Sequence, residues 1–149
     1  MVLAPVVVGL ALLALARGGW RRALAGALIP SASTVAALGI PLQTVLGTAT
    51  DAFPSHHAAA GIGLLVGLGV VWPRPVGRRW LVALVVAAFL VGLGNVSWYA
   101  HQPRDVVGSA LLVAAVAACT FALLGGDSPN LARPAFAPKR AQTVQARCR

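Results

Sequence analysis

Charge is what this sequence has least of. Only 10% of its 149 residues are charged, against about 25% in an ordinary soluble domain. Asp51, Asp105 and Asp127 are its only acidic residues, and it contains no glutamate. A globule this small cannot hide a composition that is 58% hydrophobic, because surface-to-volume scaling leaves much of the chain exposed. A soluble domain is therefore excluded, and lipid is the natural solvent. The mean hydropathy of +0.82 agrees.

Cysteine is scarce too. Cys119 lies inside an apolar run and Cys148 next to the last residue. Neither a disulfide framework nor a CxxC metal site can be built from them, and Cys119 reads as a small packing residue. Internal repeats are absent. The net charge of +9 and a pI near 11.8 would suggest nucleic acid in a soluble protein. Here the cations sit in short clusters between apolar runs, as in cytoplasmic membrane loops, so no nucleic-acid partner is expected.

Five apolar stretches cover residues 2–16, 23–44, 57–72, 80–99 and 106–124. A membrane helix needs roughly 17–25 apolar residues; the last four are read as spans, and the first is short. Ala14-Leu15-Ala16 resembles a signal-cleavage site, but no basic residue precedes the run and Arg17 follows at once, which favours a membrane helix. The expected fold is all-α, a polytopic transmembrane bundle of about five spans over residues 1–124. Residues 125–149 form a basic tail rich in Pro, Ala and Arg. It is expected to be disordered at the cytoplasmic face, within reach of anionic lipid.

The cations choose the orientation. Arg17, Arg21 and Arg22 follow the first stretch, and Arg74, Arg78 and Arg79 follow the third. Arg133, Lys139, Arg140, Arg147 and Arg149 lie in the tail, leaving Arg104 alone on the opposite connections. The positive-inside rule makes the eleven cytoplasmic, with the N-terminus outside and the tail inside. Trp20, Trp72 and Trp80 then mark the inner boundary, and Trp98 and Tyr99 the outer one, as an aromatic belt does. Arginine outnumbers lysine eleven to one, which suggests a GC-rich genome and a bacterial plasma membrane.

Small residues crowd the helices. Gly63 and Gly67 form a G-x-x-x-G beside Gly61 and Gly69, and Gly92 and Gly94 thin the fourth stretch. Such residues let membrane helices approach closely. Packing within the bundle is the first reading and a homodimer through these glycine-rich faces the second.

The three histidines, His56, His57 and His101, all fall on the outer side with Asp51 and Asp105. Ionisable groups near membrane helices are costly and tend to be functional. Pro103 between His101 and Asp105 suits a first helical turn, from which Asp105 turns back toward His101. A carboxylate on one ring nitrogen fixes the tautomer and makes the other a better nucleophile or base. His57 follows Pro54-Ser55 at a helix start, where free N–H groups favour an anion. Two histidines and an anion-binding helix end suit phosphoryl transfer.

Phe53-Pro54-Ser55-His56-His57-Ala58 resembles the PSGH motif of the type 2 phosphatidic acid phosphatase family of membrane lipid phosphatases. The run from Gly94-Asn95 through His101 to Asp105 resembles its SRxxxxxHxxxD motif. The resemblance covers roughly residues 23–124. It implies that His101 forms a phosphohistidine, that Asp105 orients it and that His57 protonates the leaving group. Ser55, Arg104, His56 and Asn95 would then contact the substrate phosphate. It further implies a helical bundle acting on isoprenoid or glycerolipid phosphates, bounded by membrane lipids and needing no metal or other cofactor.

The departures are equally specific. Gly94 and Asn95 stand where the family has Ser-Arg, and His56 stands where PSGH has glycine. The family's KxxxxxxRP is best matched by Ser33 to Ile40-Pro41, which keeps the proline and neither cation. A register from Arg22 to Ile29-Pro30 fits the spacing but puts Arg22 on the cytoplasmic side. The apolar runs also lead one to expect one helix fewer than the family's usual six. Two further readings follow: a weakly active or inactive member that binds a lipid headgroup or a partner helix, and a metal-binding protein using His56, His57, His101 and Asp51.

Overall fold

The structure is a computed structural model that describes residues 3–39, 53–98 and 101–124. These form five helices: α1 (Leu3–Ala16), α2 (Trp20–Gly39), α3 (His56–Val71), α4 (Arg78–Trp98) and α5 (Pro103–Leu123). Among the described residues there is no strand. Three helices, α2, α4 and α5, are long and apolar enough to cross a membrane. The protein is thus an all-helical, membrane-embedded bundle. The basic tail, Asp51, Tyr99 and the Ile40-Pro41 pair lie outside the described residues.

One expected span is as long as its apolar run but short for a membrane crossing. α3 has 16 residues, or about 24 Å at 1.5 Å per residue, against a hydrocarbon core of about 30 Å. Both ends are chemically fixed. Ser55 caps the start, and Pro73 disfavours helical backbone at Trp72, whose ψ is 128°. The other long helices begin earlier than expected. α2 and α4 take in Trp20-Arg21-Arg22 and Arg78-Arg79 as their first turns.

Glycine and proline set the centre of the bundle. Pro30 sits inside α2, where its missing N–H removes a hydrogen bond to the Gly26 carbonyl. α3 closes on this weak point. A Cβ on Gly67 would lie 2.8 Å from the Gly26 carbonyl oxygen, and one on Gly63 would lie 2.9 Å from the Pro30 Cα. The Gly67 Cα hydrogen accordingly faces the freed carbonyl. Gly61 and Gly69 seat α4 instead, against Val91 and Leu84. All four glycines of α3 are therefore used within one chain, and Gly63 and Gly67 present no open face to a second copy.

Around this pair, Ala25 and Ile29 of α2, Ala59 and Ile62 of α3 and Val113 of α5 form the buried core. α4 is peripheral, with only Gly92 and Asn95 buried. Its outward row of Val82, Val85, Val86, Phe89 and Leu93 is exposed, as suits a lipid-facing helix. Cys119, expected to pack, is exposed on α5.

The two ends of the bundle differ in chemistry. Arg17, Gly18 and Arg22 line one cavity with Val71 and Pro73, so the α1–α2 and α3–α4 connections share an end. Six of the seven described cations lie there, on or beside these connections. Trp72 stacks on Trp80 with ring centroids 4.5 Å apart, and Arg21 lies over the Trp20 ring at 5.4 Å. The opposite end holds the histidines, Asp105 and Arg104. This separation is the one expected from the loops.

Gly63→Leu should push α2 and α3 apart at Pro30. Overpacking of this kind costs about 1–3 kcal/mol, read as a lowered midpoint of thermal unfolding in detergent. Gly94→Leu, which meets nothing within 4 Å, should leave the midpoint unchanged.

Candidate active site

The site begins with how α3 starts. Ser55 takes an extended conformation (φ −67°, ψ 114°), and its hydroxyl accepts from the Ala58 N–H at 3.3 Å. The same hydroxyl donates to Asn95 Oδ1 of α4 at 3.4 Å. The Asn95 amide in turn donates to the Val91 carbonyl at 2.9 Å. Ser55 is completely buried and Asn95 nearly so. Both were expected to contact phosphate. In this structure their polar groups are turned toward each other, and they hold α3 to α4.

A second tie joins α3 to α5. The Ser55 N–H donates to the Asp105 carbonyl at 3.4 Å. The Ser109 hydroxyl lies 2.8 Å from the Ser55 carbonyl and 2.7 Å from the Asp105 carbonyl. Ser109 is fully buried, and sequence reasoning did not single it out. The available signal was its position one helical turn after Asp105, on the face that carries the site.

α5 opens as expected. Pro103 occupies the first turn after Gln102, and the Asp105 carboxylate accepts from the Gln102 N–H through Oδ2 at 2.9 Å. A carboxylate in the first turn is favoured by the helix dipole. Asp105 is 2% exposed. Oδ2 also lies 3.8 Å from His101 Nδ1, and Oδ1 lies 3.9 Å from Arg104 Nε. Oδ1 is buried without a hydrogen bond among the described residues. The His101 N–H donates to the Asn95 carbonyl at 3.4 Å, which fixes the backbone of the residue that faces Asp105.

The three histidines converge across the gap between α3 and α5. The His57 and His101 ring centroids are 6.4 Å apart, and the His56 ring lies 4.0 Å from that of His57. His57 is exposed, whereas only 11% of the His101 side chain is. Arg104 stands at the rim, with its side chain half-exposed. His56 precedes the apolar run of α3. Burial first, then the neighbouring His57 and His101, lowers its pKa from the ordinary 6.5, which favours the uncharged ring near neutrality. Among the described residues, no group of three His, Cys, Asp or Glu side chains could hold a metal ion. Arg22 is at the far end of the bundle, lining a cavity with Val71 and Pro73, which removes the first-motif register that used it. In the other register Ser33 is buried and donates to the Ile29 carbonyl at 2.6 Å.

An apolar groove of about 820 Å³ runs along α1, α2 and α3. Ala60 and Leu64 line it, one and two turns below His56 on the same face of α3. Its lining reaches from Trp20 to Val35 on α2, about 22 Å of helix at 1.5 Å per residue. Ser31 and Thr34 would make the wall polar, but their hydroxyls donate back to the Ala27 and Pro30 carbonyls at 2.8 Å.

Ser109→Ala removes the hydroxyl between the Ser55 and Asp105 carbonyls. A buried neutral hydrogen bond contributes about 0.5–1.5 kcal/mol. The variant should unfold at correspondingly lower denaturant concentration in detergent, and unchanged stability would show that the tie contributes nothing.

No match was found among curated proteins or solved structures. The family model of the PAP2 superfamily matches residues 30–128, more than half of the chain and the whole of the site described above. The chain belongs to the PAP2 superfamily, a family of phosphatase type.

Proposed function

We propose that the chain is an integral membrane phosphatase that hydrolyses a lipid phosphate or pyrophosphate, isoprenoid or glycerolipid, through a phosphohistidine. The observation that carries this reading is the pairing of His57 and His101 at 6.4 Å with Asp105 behind His101. The apolar groove beneath His56 supplies a place for the substrate's hydrocarbon chain.

In this mechanism the free ring nitrogen of His101 attacks phosphorus. The P–O bond to the lipid alcohol or phosphate breaks, and the leaving oxygen takes a proton from His57. Water then attacks the phosphorus and gives a proton to His57; a P–O bond forms as the P–N bond breaks, releasing inorganic phosphate and free His101. The Asp105 carboxylate stabilises the charge on the His101 ring during attack. Its 3.8 Å separation from Nδ1 is of the loose kind that tightens when substrate binds. The ring centroids, 6.4 Å apart, put both imidazoles within reach of one phosphoryl group. Arg104 and His56 meet the phosphate oxygens from the rim, and Ser55 and Asn95 position the start of α3. On this reading the site and the N-terminus face outward and the tail faces the cytoplasm of a bacterial cell.

A second reading has its own observation. Where the family motif places arginine, Asn95 is buried against Ser55 and Val91 and carries no charge. Losing one preorganised donor to transition-state charge typically costs about 2.7–4 kcal/mol. A slow enzyme, or a protein that binds a lipid headgroup without turnover, is the alternative.

Phosphate release by purified protein from isoprenoid pyrophosphate and from phosphatidate separates the two. Activity should survive chelator, disappear in His101→Ala and fall about a hundredfold in Asp105→Asn and in His57→Ala. Silence on both substrates would favour the binding protein, and loss with chelator would favour a metal site. For orientation, Gln102→Cys in a background without Cys119 and Cys148 should react with an impermeant maleimide on intact cells. Gly77→Cys should react only after permeabilisation; the reverse pattern would invert the topology.

A further inference from the structure

The arginine end of the bundle holds a second cavity, of about 320 Å³. It lies between the α1–α2 turn and the end of α3, and is lined by Arg17, Gly18, Gly19, Arg22, Val71 and Pro73 among others. The turn is what brings the two arginines together. Gly18 has φ +77°, a conformation that glycine adopts without strain. A Cβ on Gly19 would approach the Ala14 carbonyl oxygen at 3.1 Å. So tight a connection sets Arg17, just past α1, and Arg22, in the first turn of α2, around one space.

No acidic side chain is described at this end. The chain has three acidic residues; Asp105 is buried at the opposite end, and the other two lie outside the described residues. The first turn of α2 carries no acidic residue, so the positive end of its dipole adds to the two guanidinium charges, partly offset by the carbonyl ends of α1 and α3. Val71 and Pro73 give the cavity an apolar wall. Trp20 and Ala23, which flank Arg22 on α2, line the long membrane groove, so α2 borders both spaces.

We propose that this cavity binds a phosphate-bearing anion, supplied by the headgroup of an anionic phospholipid and gripped by Arg17 and Arg22. Guanidinium groups suit this task because their planar donors match phosphate oxygens in pairs. The lipid's glycerol region rests on the Val71–Pro73 wall, and its chain follows the bundle surface. The site is separate from the histidine site and does not depend on the phosphatase reading.

The test uses full-length protein in nanodiscs of mixed phosphatidylcholine and phosphatidylglycerol, with lipids retained on release counted by native mass spectrometry. Wild type should retain phosphatidylglycerol over phosphatidylcholine by about tenfold or more, on the scale of two basic residues acting on an anionic lipid. R17Q/R22Q should bring the ratio close to that of the bulk lipid. R78Q/R79Q removes two charges from the same end without touching the cavity and should keep the preference. R22Q alone, expected to lose part of it, serves if the double variant does not fold. A parallel arm adds millimolar inorganic phosphate to lipid-free protein in detergent. A thermal shift there that R17Q/R22Q abolishes, without lipid preference, would support the anion site and name free phosphate as its source. The proposal is overturned if wild type shows neither preference nor shift. Full preference in R17Q/R22Q, or an equal loss in R78Q/R79Q, overturns it as well.

Discussion

A bundle whose helices are almost wholly apolar has few means of fixing how they slide past one another in lipid. Dispersion packing alone tolerates many registers, so the rare polar contacts decide. Here they gather on Ser55. Its hydroxyl caps α3 and reaches Asn95 of α4. Its backbone N–H and carbonyl are bonded to Asp105 and Ser109 of α5. One buried residue thus sets the relative height of three helices, and with it the distance between His57 and His101. A displacement of even one residue along a helix would move either ring by about 1.5 Å along the axis.

The second constraint works from the middle of the bundle. Pro30 weakens the α2 ladder at Gly26, and the glycines of α3 let that helix close against the exposed backbone. Close approach is possible because Gly63 and Gly67 of α3 carry no side chain where they meet Gly26 and Pro30. α4 gains less from this centre; one face is left to lipid, and its end near the histidines is held by the Asn95–Ser55 bond. The histidine site is therefore built between helices that are held by different means, α3 and α5 by ties to backbone groups and α4 by the Asn95–Ser55 bond and its seats on Gly61 and Gly69.

Much of this was legible in the residues. The five helices followed from apolar runs, and the sorting of six described arginines to one end followed from their loops. The approach of His101 to Asp105 followed from Pro103 and a four-residue spacing. Ser109 was not legible, because a single serine in an apolar helix usually satisfies itself by bonding to the carbonyl one turn back. Its contact to Ser55 spans 54 positions of sequence and exists only once α3 and α5 are docked. Ser55 and Asn95 were read as phosphate ligands because their types and spacing match the motif. Burial, which spacing does not encode, turns their polar groups toward each other. The Gly63–Gly67 pair was legible as a packing surface, but its partner, Gly26-to-Pro30 of the same chain, was not. Cys119 was misplaced for a similar reason: an apolar run does not say which of its faces meets lipid.

The central claim is that His101 carries the phosphoryl group while Asp105 and His57 serve it from either side. Rapid acid-free quenching of the purified protein with a substrate labelled in its terminal phosphate, followed by mapping of the label, tests it most directly. The account predicts an alkali-stable, acid-labile phosphohistidine at His101 that accumulates in His57→Ala. Label on another residue, or phosphate release with no covalent intermediate in either protein, would contradict it.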